Sequence, residues 1–140
     1  MFIKNNKRNY CACYDGITNV LVCEVKVEVL LGGRSVERKL KGFWDTGSSN
    51  SAISIKVAKE MGLPICKFNN RVTSITGNKN FNSYNINVYL NNQMCFENIE
   101  AFGTDMKGVD YEFVIGMDII QQGNLIIKNN KYTTIRFERI

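Results

Sequence analysis

The segment Cys23-Glu24-Val25-Lys26-Val27-Glu28-Val29 alternates apolar and charged residues without a break, and this commits it to a β-strand with one buried face. Val25, Val27 and Val29 line that face. Gly32-Gly33 then turns the chain into Ser35–Phe43, which predicts a hairpin. A second alternating stretch, Ile86, Val88 and Leu90, runs into Asn91-Asn92 and a return strand near Met94–Phe102. Asn129-Asn130 likewise separates Leu125–Lys128 from Tyr132–Glu138. One proline and eleven glycines fit many short strands joined by turns, with no linker, internal repeat or low-complexity block. Two short helices interrupt the pattern. Ser54 caps Ile55–Met61, which stops at Gly62 and is closed off by Pro64. A weaker helical turn lies within Gly116–Gly123. The chain reads as all-β with one or two short helices.

Composition narrows the chemistry. The 140 residues are the length of one domain, and 44% hydrophobic with 22% charged residues is a globular balance. There is no histidine. That excludes Ser-His-Asp and Cys-His nucleophile pairs, histidine-ligated zinc and any imidazole base. Proton transfer must therefore run through the 13 Asp and Glu, or through Lys, Tyr or Cys. The net charge of +5 is scattered along the chain, with its densest group at Lys4, Lys7 and Arg8, so no nucleic-acid partner is expected. No apolar run approaches the ~18 to 20 residues that span a bilayer, so no membrane partner is expected either. The first residues, Met1 to Lys7, lack the apolar core of a secretory signal, and the expected location is cytoplasmic.

Five cysteines (Cys11, Cys13, Cys23, Cys66 and Cys95) agree with that location, because their odd number and spacing do not describe a disulfide framework. They read as free thiols acting as small apolar residues. Cys11-Ala12-Cys13 leaves open a redox or metal-responsive role, although two further metal ligands at suitable spacing are not evident.

The chemically informative segment is Phe43-Trp44-Asp45-Thr46-Gly47-Ser48-Ser49-Asn50, in which an acid follows an apolar strand end and is itself followed by Thr-Gly-Ser. By itself this is also the pattern of an ordinary Asx- or ST-type turn. Further along, Phe113-Val114-Ile115-Gly116 is an apolar strand ending in glycine, and Thr76-Gly77 stands between two candidate strands within Val72–Val88. Together these three features resemble the aspartic proteases, in the order and spacing of the single-lobed retropepsin-like branch. The continuation Gly116-Met117-Asp118-Ile119-Ile120 looks especially like its bacterial members.

The resemblance implies a retropepsin-like closed β-barrel, the single-lobe acid protease fold, over residues 20–140, with residues 1–19 as a leader or interface segment. It implies Asp45, Thr46 and Gly47 as catalytic-loop residues. It implies Ser48, Thr76, Gly77, Val114 and Ile115 as substrate-binding, with Thr76-Gly77 at the tip of a flap. In this reading Ser48 hydrogen-bonds the Asp45 carboxylate. Thr76-Gly77-Asn78 is equally an ordinary hairpin turn, and Trp44 is packing beside the loop. Asp118 reads as an acid at a helix N-terminus rather than a second catalytic group.

Of the five aspartates, Asp15, Asp45, Asp105, Asp110 and Asp118, only Asp45 precedes Thr-Gly or Ser-Gly, so the chain carries half of a two-carboxylate site. A two-fold dimer would bring two copies of Asp45 together on its axis. The implied protein is a homodimeric aspartic endopeptidase acting on polypeptides, with no metal and no cofactor. The alternative on the same fold is a catalytically silent dimeric peptide-binding or adaptor module. Two departures from the viral pattern stand out. Met117 occupies the place where viral relatives often carry an arginine that bridges to the active loop, and the flap candidate has one glycine followed by Asn78-Lys79-Asn80.

Overall fold

The computed structural model describes residues 5–74 and 77–140. Among the described residues, alternation, turns and caps produce ten strands and two helices in the order β1 (Asn9–Cys13), β2 (Val22–Leu31), β3 (Arg34–Trp44), β4 (Ala52–Ser54) and α1 (Ile55–Met61). There follow β5 (Lys67–Ser74), β6 (Gly77–Asn91), β7 (Met94–Thr104), β8 (Phe113–Ile115), α2 (Met117–Ile120), β9 (Gly123–Asn129) and β10 (Thr133–Arg139).

The β2–β3 hairpin turns at Gly32-Gly33 as expected, and pairs Val25 with Leu40 and Val27 with Arg38. Val25, Val27 and Leu40 are buried because alternation aims them at one side. The larger sheet runs β2-β3-β8-β4-β7-β6-β5. A further pairing of Lys26–Glu28 on β2 with Asn87–Tyr89 on β6 closes six of these strands into a barrel. Inside lie Val25, Val27, Ile53, Ile86, Val88, Met94, Phe96, Phe113 and Ile115, each at most 2% exposed. β5 stays outside the closure and, among the described residues, pairs only with β6.

Ser54 caps α1 by accepting a hydrogen bond from Val57 N, and Gly62 ends the helix in the left-handed conformation at φ 69°. Val57, Ala58 and Met61 form its buried face. Among the described residues no helix is long and apolar enough to cross a membrane.

A smaller sheet, β1-β10-β9, covers one end of the barrel. β1 pairs with β10 from Asn9↔Glu138 to Cys13↔Thr134, and Tyr10 inserts into the core with its ring 6.4 Å from that of Trp44. Thr18 N also donates to Thr133 Oγ1 at 2.9 Å. Residues 9–13, within the segment expected as a leader or interface segment, thus complete an edge of β10.

Candidate active site

The last two residues of β3 face opposite ways. Trp44 points inward, 4% exposed, with its ring edge-on to Phe137 at 5.7 Å and 83°. Its backbone N–H donates to Leu21 O, and the next amide, of Asp45, donates to Ile115 O at 3.0 Å. Asp45 is thus anchored on the parallel neighbour β8 as the chain leaves the sheet, and it remains half-buried.

Two backbone hydrogen bonds shape the loop that follows. Ser48 N donates to Asp45 O at 3.2 Å, and Gly47 N donates to Asp45 Oδ1 at 2.9 Å. A Cβ built on Gly47 would stand only 3.2 Å from that carboxylate oxygen, so the smallest residue suits the approach. Thr46 and Gly47 are exposed.

Ser48 departs from the expectation that it orients the Asp45 carboxylate. Its hydroxyl donates to Asn50 O at 2.7 Å. The tight turn back onto Asp45 O places the side chain beside the carbonyl two residues ahead, and a local acceptor of this kind competes well for a serine. The Gly47 amide holds the carboxylate instead.

β8 lies between β3 and β4, and the registers define a single outward row. Phe43 pairs with Val114, Val114 with Ala52, and Ala52 with Phe102. Register partners share a face, so these four side chains run across β3, β8, β4 and β7, roughly 14 Å in all. All four are half-buried. Tyr111 stacks on Phe43 at 4.8 Å and 13°, and Phe81 stacks on Phe102 at 6.4 Å and 6°. The row begins two residues before Asp45, and Val114 sits in it.

Ile115 does not. It is 0% exposed and faces the core. Adjacent strand residues point to opposite faces, and both Val114 and Ile115 could not line the same pocket. The Ile115 carbonyl serves the site from the backbone, through the Asp45 amide. Phe43 could have been found from alternation alone once Trp44 was placed inside. Tyr111, Ala52 and Phe102 come from distant segments and carry no signal without the register.

The segment expected to hold a flap lies in the β5–β6 pair, with Arg71 opposite Asn80, Val72 opposite Lys79 and Ser74 opposite Gly77. Gly77 is exposed with φ 119°, a left-handed-side conformation that favours glycine. Thr76 lies outside the described residues.

The remaining acids and thiols have other surroundings. Asp110 pairs with Lys41 at 3.1 Å, Asp105 accepts from Lys107 N, and Asp118 accepts from Ser51. Cys11 and Cys13 lie on β1 opposite Arg136 and Thr134, and all five cysteines are free thiols. Burial pushes the Cys23 thiol up to about 11, an effect only partly offset by Tyr10 and Trp44 beside it. Among the described residues no three His, Cys, Asp or Glu side chains are grouped so as to hold a metal ion.

No family model matches the chain, and no curated protein matches it. Among solved structures it is similar to the crystal structure of a retropepsin-like aspartic protease from Rickettsia conorii. The likeness has a TM-score of 0.58 and 13% sequence identity, and covers 99% of this chain and 100% of that one. At that identity the likeness is one of fold. The chain is thus a retropepsin-like closed β-barrel with two short helices.

Proposed function

We propose that the protein is an aspartic endopeptidase that works as a homodimer, with one Asp45 from each subunit forming the catalytic pair. The observation that carries this reading is a half-buried carboxylate held by the Gly47 amide at the end of an apolar row, in a chain with a single Asp-Thr-Gly. One carboxylate cannot be both the base and the acid of peptide hydrolysis. Two brought within ~3 Å share one proton, because both cannot ionise at that separation, and so they supply both roles.

In this mechanism the ionised Asp45 takes a proton from water as the water oxygen attacks the scissile carbonyl carbon. The protonated Asp45 of the second subunit gives its proton to the carbonyl oxygen. Collapse of the tetrahedral intermediate breaks the C–N bond, with a proton delivered to the leaving nitrogen. An extended polypeptide substrate fits a site flanked by the β5–β6 hairpin, whose strands can bond its backbone by β-addition. The row of Phe43, Val114, Ala52 and Phe102, with Tyr111 stacked at one end, favours apolar side chains near the cleaved bond.

The test compares the wild type with Asp45→Asn on a peptide library between pH ~3 and 7, together with the oligomeric state of each. The expected result is cleavage by a wild-type dimer and a loss of about a thousandfold or more in the Asn variant, which still dimerises. Cleavage that survives the substitution overturns the assignment. A wild-type dimer that binds peptides without cutting them is the adaptor module instead.

A further inference from the structure

The N-terminal turn of α2 is joined to the catalytic loop by an unusual concentration of hydrogen bonds. A helix begins with backbone N–H groups that have no partner inside the helix. Here Met117 N donates to Ser48 O at 2.8 Å and Asp118 N to Ser49 O at 3.2 Å. Gly116 N donates to Ser51 Oγ at 3.1 Å. The donors of α2 are therefore satisfied by the carbonyls and hydroxyl of residues 48–51.

Asp118 closes the connection in the other direction. Its Oδ2 accepts from Ser51 N at 2.9 Å and its Oδ1 from Ser51 Oγ at 2.7 Å, while Oδ1 also accepts from Ile119 N at 2.9 Å. Ser51 itself is 0% exposed, and its carbonyl accepts from Phe102 N at 3.0 Å. Every polar group of Ser51 is thus used. Gly116 stands so close that a Cβ there would lie 2.6 Å from the carbonyl carbon and oxygen of Asn50. Loop and helix are packed backbone against backbone, with the Asp118 carboxylate in the contact.

We infer that Asp118 is a positioning residue for Asp45. It grips both the amide and the hydroxyl of Ser51 and so holds the loop 45–51 against α2 at the angle that presents the Asp45 carboxylate. Hydrogen bonds from a buried serine to this carboxylate perform the bracing, and the neighbouring Met117 has no polar group with which to do so. Asp118 lies behind the loop and touches no reacting atom. This inference rests on the protease reading for its kinetic consequence, but its structural content can be read without turnover.

The experiment compares Asp118→Ala, Asp118→Asn and Ser51→Ala with the full-length wild type, in two measurements. In the first, hydrogen exchange is followed at the amides of Gly47 and Ser51. Asp118→Ala should speed both by about tenfold or more while the β2–β3 amides hold their rates, and Asp118→Asn, which keeps an acceptor for Ser51 N, should restore most of the protection. Unchanged exchange at both amides overturns the inference, whether or not the wild type cleaves peptides. In the second, kcat should fall about tenfold to a hundredfold in Asp118→Ala with KM nearly constant, because the apolar row is left in place while the carboxylate is misplaced. The same variant should shift the pH profile of kcat/KM, and Asp118→Asn should recover most of the rate. A purely structural role would instead lower the active fraction in proportion to lost stability, with the pH profile unmoved and no advantage of Asn over Ala, and that result also overturns the inference. If Asp118→Ala does not fold, Asp118→Asn and Ser51→Ala carry both measurements: Ser51→Ala should then show the faster exchange and lower kcat, and wild-type values in it overturn the inference.

Discussion

The two faces of the short ribbon β3–β8–β4 differ by a one-residue step and by everything that follows from it. Trp44, Ile115 and Ile53 point inward and are nearly or wholly buried, while Phe43, Val114 and Ala52 point outward and are half-buried. The inward set is tied to the barrel and the smaller sheet through aromatic and aliphatic packing. The outward set is half-buried, with Tyr111 stacked on Phe43 and Phe102 beside Ala52 in the register. Core packing and outward exposure thus fall on alternate residues of the same segments. The difference teaches that adjacent apolar residues at a strand end are divided between two faces, so under the proposed function only the outward one is available to a substrate.

Substitutions on the two faces should separate cleanly. Ile115→Ala removes a fully buried side chain and should cost about 2–5 kcal/mol of unfolding free energy, measured by urea denaturation. If it leaves stability intact and changes only peptide binding, the division of faces is wrong. Gly116→Ala forces a Cβ against the Asn50 backbone, and overpacking of this kind should cost roughly 1–3 kcal/mol and lower turnover as the loop is pushed away from α2. A thermal melt alongside a kinetic assay would check both.

On the outward face, Tyr111→Ala removes one ring of the stack with Phe43. It should weaken binding of substrates with a large apolar residue by about twofold to tenfold, the worth of a single aromatic pair, with little change in melting temperature. A large loss of stability would place Tyr111 with the core residues. The smallest effect comes from Cys23, on the inward side. Its thiol is raised from 9.0 to about 11, so between those values the folded state keeps a proton that the unfolded chain releases. The contribution is intact below pH 9 and is lost as pH rises through about 11, so the melting temperature should fall over that interval and fall less in Cys23→Ala. Alkylation at pH about 8 should likewise label the exposed Cys13 and Cys66 well before Cys23, by mass spectrometry.

Local signals proved readable where the physics is local. The cap Ser54, the stop at Gly62 and the alternation of β2 each depend on residues within a few positions, and each element lies where those residues predict it. The same holds for the three hairpins marked by Gly32-Gly33, Asn91-Asn92 and Asn129-Asn130. The partner of Ser48 is not legible in the sequence, because a serine beside a carboxylate has several acceptors within reach and the turn decides between them. β1 is likewise not legible as a strand of this body. Its pairing with β10 spans more than 120 residues of sequence, and a five-residue strand carries little pattern of its own.

Asp45-Thr46-Gly47, the all-β periodicity and the absence of histidine are properties of the chain before it folds. They already restrict the chemistry to carboxylates and the architecture to strands, because alternation and protonation are set by residue type and spacing. Tertiary structure decided the rest: that Val114 faces outward and Ile115 inward, that Gly47 rather than Ser48 holds the Asp45 carboxylate, and that Ser51 meets Asp118 across 67 positions. Those outcomes depend on strand register and on which backbone groups the closed barrel leaves without partners, and neither quantity exists until distant segments are brought together.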